Sequence, residues 1–124
     1  MKPAEVVDRW LAAINLHDVD GLTALMADDL LFVDSLGNRV NGAATMKGGW
    51  QAYFAMCPDY WVRADTVVAD GNTLLLTGDA GGTIDGVAWK IPSAWKAVVS
   101  NGRLREWHVF ADNKPVHDIL ARRS

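Results

Sequence analysis

The sequence predicts an α+β fold: a curved antiparallel sheet wrapped around three N-terminal helices, cone-shaped and enclosing an apolar pocket. Three observations predict it. Apolar residues recur at helical spacing through the first half. The second half alternates at the strand period and is punctuated by turn residues. Six Trp stand in only 124 residues, an unusual number of large rings for so short a chain, and such rings gather in cores, pockets and interfaces. The length is that of one domain, residues 1–124.

Each element has its own justification. From Pro3 to about Leu16, the residues Val6, Val7, Trp10, Leu11 and Ile14 mark one helical face, with Pro3 suited to the first turn. Asp20 is expected to cap a short second helix carrying Leu22, Leu25 and Met26, with Asp28 and Asp29 closing it into solvent. Leu30 to Val33 is a short strand, and the following "DSLGN" is a turn. A third helix runs from about Ala43 to Cys57 along Met46, Trp50, Tyr53 and Phe54; Pro58 stops it and Gly48–Gly49 weakens it. Tyr60 to Ala69 and Thr73 to Thr77 are strands, Gly78 to Gly86 a loose glycine-rich connection. Val87 to Ser100 is a long strand, and Pro92 inside it calls for a bulge or an edge. Asn101–Gly102 turns a hairpin into a last strand, Arg103 to Asp112, which "NKP" ends.

Charge and composition narrow the function classes. A formal net charge of −3 without a basic stripe argues against a nucleic-acid partner; Arg122–Arg123 reads as a frayed tail. The single Cys57 cannot form an intramolecular disulfide, which fits a reducing, cytoplasmic compartment. Nothing in the sequence resembles a signal peptide or a membrane span. His17, His108 and His117 have no metal-ligand spacing with Cys57 or an acid, so no metal is expected. His17 is expected in solvent, His108 on an outward face at a dimer contact or solvent, and His117 near the tail. No phosphate loop is present, and Ser93 has no base placed to activate it, so neither a nucleotide nor another cofactor is expected.

Strand alternation separates a dry face from a wet one. Trp107, Val109 and Ala111 share the inward parity of the last strand; Glu106, His108 and Phe110 share the outward one. In the long strand Trp89, Ile91, Trp95, Ala97 and Val99 face inward, opposite Lys90 and Lys96. With Trp10, Trp50 and Tyr53 from the helices, these residues predict either a plain core or an indole-walled pocket for a flat apolar or aromatic ligand. Asp34 has two readings as well. It can fix its turn by accepting backbone N–H bonds. Or it can project into the apolar cone, where a desolvated carboxylate is a stronger base. Asp112 and Asn113 end the last strand as turn formers or as substrate contacts at the rim.

The segment "VVDRWLAAINLHDVDGLTALMADDLLFVDSLG" closely resembles the opening of ketosteroid isomerases and, more broadly, of SnoaL-like polyketide cyclases in the nuclear transport factor 2-like superfamily. "IPSAW", the Asn101–Gly102 hairpin and "VFADN" extend the resemblance over nearly the whole chain. It implies the cone fold, usually as a homodimer, and a small-molecule partner. It places Asp34 on the general base of the isomerases, whose other catalytic groups are a Tyr and a protonated Asp. Here the Tyr position is Trp10, and the second Asp position falls on Ala94, or on Trp95 if a bulge at Pro92 shifts the register. Only the base is retained, which argues against steroid isomerisation. The resemblance thus implies cofactor-free proton transfer by Asp34 on a carbonyl compound: cyclisation, isomerisation or dehydration. The N–H groups of Trp10 and Trp95 are candidate enolate donors, and Tyr53 is a candidate donor or acid. Trp10, Trp50, Trp89, Trp95 and Trp107 are the substrate-binding candidates. The competing expectation is a ligand-binding or dimer-scaffold protein without turnover.

Overall fold

The computed structural model describes residues 1–123. Helix α1 (Pro3–Leu16) buries Val6, Val7, Trp10, Ala13 and Ile14 and ends at His17, whose left-handed φ of 54° breaks the helix. Helix α2 (Val19–Leu25) is capped by Asp18, not Asp20: the Asp18 carboxylate accepts the Gly21 N–H at 2.9 Å. Strand β1 (Met26–Val33) begins four residues earlier than its apolar run suggests. Asp28 and Asp29 therefore sit within a strand, beside the register break between Met26 and Leu31. The Asp34–Asn38 turn leads into a short strand, β2 (Arg39–Asn41), that the sequence did not announce. Helix α3 (Ala43–Met56) buries Met46, Trp50 and Phe54.

Strands β3 (Trp61–Asp70), β4 (Thr73–Ile84), β5 (Val87–Ser100) and β6 (Arg103–Ala111) complete a six-stranded sheet in the order β2-β1-β6-β5-β4-β3. Every neighbouring pair is antiparallel except β1 with β6. The expected loose connection at Gly78–Gly86 is in fact the second half of β4, paired residue for residue with β5 as far as Ile84↔Val87. Its hairpin turn is Asp85–Gly86, both at positive φ, as are Asn101–Gly102 in the next hairpin. Pro92 causes no bulge: β4–β5 pairing passes through Asp79↔Pro92 unbroken. Pairing with β6 stops at Ser93↔Ala111, so β5 has a free edge beside Pro92, which tolerates the missing N–H. The register break on β5 lies instead at Val98/Val99.

"NKP" ends β6 as expected and also begins a fourth helix that the sequence did not announce. Helix α4 (Lys114–Ala121) carries Pro115 in its first turn and buries Val116 and Ile119. Arg123, expected in a frayed tail, donates through Nη2 to Asp85 Oδ1 at 2.8 Å. The core gathers the inward face of the sheet against α1, α2 and α3, and α4 closes on the same face. A side-chain clamp joins α1 to β3: Asn15 donates to the Val62 carbonyl at 3.0 Å and accepts the Val62 N–H at 2.8 Å. No described helix is long and apolar enough to cross a membrane.

Candidate active site in the cone

Between sheet and helices lies a cavity of about 380 Å³, within the size range of small-molecule sites. The alternation that dries the inner face of β5 and β6 puts Trp89, Ile91, Ser93, Trp95, Trp107 and Val109 on its wall. Trp50 and Tyr53 approach from α3. Trp95 and Trp107 stack at 6.2 Å between ring centroids, and Trp50 meets Phe32 edge-on at 6.4 Å. Four of the five expected indoles therefore line the cavity. Trp10 does not: it is fully buried behind the wall, packed on Trp50 at 5.9 Å and Trp107 at 5.7 Å. It supports the wall from behind instead of meeting a ligand. Its indole N–H has no hydrogen-bond partner among the described residues, and neither does that of Trp50. The Trp89 N–H lies beside the Cys57 thiol without forming a hydrogen bond of ordinary geometry.

Asp34 is on the cavity lining, and its carboxylate fixes the β1–β2 turn, as the first of its two readings expects. Oδ1 accepts the N–H groups of Leu36 and Asn38, each at 2.9 Å, and Oδ2 accepts the Asn38 amide at 3.0 Å. The side chain is thus held in one place, with Oδ2 the less engaged oxygen. Ser35 beside it accepts a 2.6 Å hydrogen bond from Asn113 Nδ2. Asn113, Val116, His117 and Leu120 bring α4 into the wall. Of these, the sequence reading singled out only Asn113 as a contact. The signal for the others was present: Val116, Ile119 and Leu120 after Lys114–Pro115 have helical spacing.

The remaining polar residues divide clearly. Tyr53 lines the cavity with Tyr60, their rings edge-on at 4.8 Å. Burial pushes both phenols well above their ordinary acidity range, so each stays a protonated donor. Ser93 is buried and donates to the Ile91 carbonyl at 3.3 Å. His17, expected in solvent, is half-buried: it stacks on Phe54 at 4.1 Å and its Nε2 lies 2.7 Å from the Tyr60 carbonyl. His108 is on the outer face, 2.9 Å from Glu106 Oε1. With no bulge at Pro92, Ala94 stays on that outer face, and the inward positions beside it are Ser93 and Trp95, neither a carboxyl. Among the described residues, no three His, Cys, Asp or Glu side chains are grouped to hold a metal ion.

A family model described as a SnoaL-like domain matches residues 7–116. The chain belongs to the SnoaL-like family. Solved structures of the same fold agree with that membership. The SnoaL-like chain superposes on a SnoaL-like polyketide cyclase of Shewanella denitrificans OS-217 with a TM-score of 0.85, at 15% identity, over 97% of each chain. A similar match is the LEH-like epoxide hydrolase of M. tuberculosis: TM-score 0.83, 20% identity, 97% of this chain and 90% of that one. A third is a protein of ketosteroid isomerase-like fold from Catenulispora acidiphila DSM 44928 in complex with trimethylamine. Its TM-score is 0.79 at 22% identity, over 86% of this chain and 84% of that one. Identities this low establish a shared fold and no shared reaction. Among curated proteins none matches the SnoaL-like chain.

Proposed function

We propose that this SnoaL-like domain binds a small, flat, apolar or aromatic carbonyl compound and moves a proton on it, without a cofactor, using Asp34 as base. One observation carries the reading: an open cavity of about 380 Å³ walled by Trp50, Trp89, Trp95 and Trp107, with Asp34 the single carboxylate on its lining among the described residues. Indole faces bind flat rings well. A carboxylate beside them can take a proton next to a carbonyl and return it elsewhere, which serves cyclisation, isomerisation or dehydration alike. Tyr53, held protonated by its burial, is a donor to the substrate. The family resemblance supports a homodimer. Its surface would be the outer face of the sheet, where Val68, Leu75 and Phe110 are all more than half exposed. The lone buried thiol of Cys57 is consistent with a reducing, cytoplasmic setting.

The test has two stages. Aromatic ketones and phenols are screened by quenching of tryptophan fluorescence, and ligands that bind are assayed for turnover. Asp34→Asn should abolish turnover and leave affinity within about twofold. Survival of both activity and affinity would show that Asp34 is not the base. The three hydrogen bonds already made by Asp34 favour one second reading, a binding protein without turnover, in which the carboxylate only shapes the turn. That reading predicts tight ligands and no product.

A further inference from the structure

The cavity's two phenols are unpaired. Neither the Tyr53 nor the Tyr60 hydroxyl has a hydrogen-bond partner among the described residues, and no hydrogen bond contributes to either phenol's shifted acidity. Neither oxygen is among the fully buried atoms left without a partner, so both hydroxyls open on the cavity that their rings line, where a ligand can reach them. Both stay protonated, so both have a proton to donate.

The pair is also held in place. Tyr60 stacks on Trp89 at 6.0 Å and abuts Tyr53 at 4.8 Å. Its backbone is fixed on both sides: its N–H donates to the Cys57 carbonyl at 3.1 Å, and its carbonyl faces His17 Nε2 at 2.7 Å. Donors pre-positioned in this way lose little freedom on binding.

Sheet register separates this end of the cavity from Asp34. Asp34 follows Val33, which pairs with His108 on β6, and His108 pairs in turn with Lys96, next to Trp95. Trp89, against which Tyr60 stacks, lies six residues before Trp95, about 20 Å along β5 at the usual rise per residue. The phenols are also distinct from the positions matched to the family's oxyanion donors, which hold Trp10 and Ala94 or Trp95.

We infer that Tyr53 and Tyr60 form an anchoring site for an oxygen acceptor of the ligand, at the end of the cavity remote from Asp34. The inference rests on reading the cavity as a ligand site. It narrows the ligand class to flat, largely apolar molecules with an oxygen function at each end: one held by the phenols, the other presented to Asp34. The anchored oxygen is not the reacting one.

The probes are 2-acetylnaphthalene and its hydrocarbon isostere 2-isopropenylnaphthalene, which differ only in the acceptor oxygen. Dissociation constants are read from tryptophan quenching, and the carbonyl stretch of the bound ketone from infrared difference spectra. The wild-type protein should favour the ketone at least about fivefold and lower its carbonyl frequency. Tyr60→Phe should erase the preference and restore the frequency while leaving the hydrocarbon's affinity unchanged. Tyr53→Phe makes the same test should Tyr60→Phe fail to fold. Equal binding of the two probes by the wild type, or a preference that survives in both variants, overturns the anchor and leaves the cavity reading standing. Failure of both probes to bind overturns the anchor and the cavity reading together.

Discussion

Adding one methyl group at Gly78 should cost this protein far more than adding it at Gly48. At Gly78, in β4, a Cβ would lie 1.8 Å from the Arg63 carbonyl oxygen, 2.8 Å from its carbon and 3.0 Å from Ala64 Cα. All three are backbone atoms of the neighbouring strand, so no side chain can swing aside. Strand β3 would have to retreat by well over 1 Å at its own irregularity, between Ala64 and Thr66. Overpacking of that kind costs about 1–3 kcal/mol, and each ladder hydrogen bond lost adds about 1 kcal/mol. Gly78→Ala should therefore destabilise by about 3 kcal/mol, a large share of a typical stability of about 5–15 kcal/mol. For a chain of this length that is a fall in Tm of roughly 12 °C. Gly48 lies exposed in α3 with nothing within 4 Å of its would-be Cβ, so Gly48→Ala should gain about 1 kcal/mol of helix propensity and raise Tm by roughly 4 °C. Thermal melts of the two variants followed by circular dichroism give both values. A Gly78→Ala midpoint within a degree of wild type would mean that β3 and β4 do not pack this closely, and the reasoning would fail.

Three further outcomes follow from the same geometry. Asp34→Ala removes all three turn contacts and should lower the urea unfolding free energy by about 1–2 kcal/mol, whereas Asp34→Asn keeps the Oδ1 acceptor and should lose less than about 1 kcal/mol; equal losses would discount the turn role. Arg123→Ala should speed amide hydrogen exchange in α4 while leaving the global midpoint unchanged, since the Arg123–Asp85 pair ties that helix end to the β4–β5 hairpin. The hydrogen bond from Arg123 holds the Asp85 carboxyl below its ordinary value of 3.8, so this tie is complete above that pH and is lost as pH falls through the lowered value. Wild-type α4 protection, corrected for intrinsic exchange, should drop in that acid window and match Arg123→Ala. Finally, burial pushes the Cys57 thiol up, so a thiol reagent at pH 8 should leave native Cys57 unlabelled and react fully after denaturation; rapid native labelling would contradict its burial against Gly82 and Trp89.

The parts of the fold legible in the sequence are those where one period runs uninterrupted. Trp89, Ile91, Trp95, Ala97 and Val99 alternate without a break, and their shared parity puts them on the inner face. The α1 stripe was equally plain. Illegible parts are those where a residue has two physical meanings. Glycine reads as loop because it is free, yet Gly82 stands in β4 because it has no Cβ: one would lie 2.4 Å from the Cys57 sulfur. The alternation Leu74, Leu76, Ala80, Ile84 continues through that segment to Asp85–Gly86, a hairpin dipeptide that marked the true turn. Pro115 follows the end of β6, and Pro at the first turn of a helix is also a start. That second meaning announces α4, and with it His117, Val116 and Leu120 on the cavity wall.

The site shows the same division. Which Trp faces the cavity follows from strand parity for Trp89, Trp95 and Trp107, but the helix face of Trp10 says only that it points into the sheet. Whether it meets a ligand depends on what stands in front of it, and Trp50 and Trp107 do. Tyr60 was invisible for another reason: it precedes β3, where no period applies, and its place comes from His17 and Cys57, each distant from it in either sequence or element. Of the two readings of Asp34, the turn contacts bear out the first, and the second stands only as the proposal above. The contacts that fix its turn also hold the carboxylate on the cavity wall, since Oδ1 takes both backbone N–H groups and leaves Oδ2 with one side-chain donor. The base proposed above must be held at a fixed place to act; the turn contacts supply that placement, while the donors they bring also stabilise the carboxylate they would have to release for proton transfer.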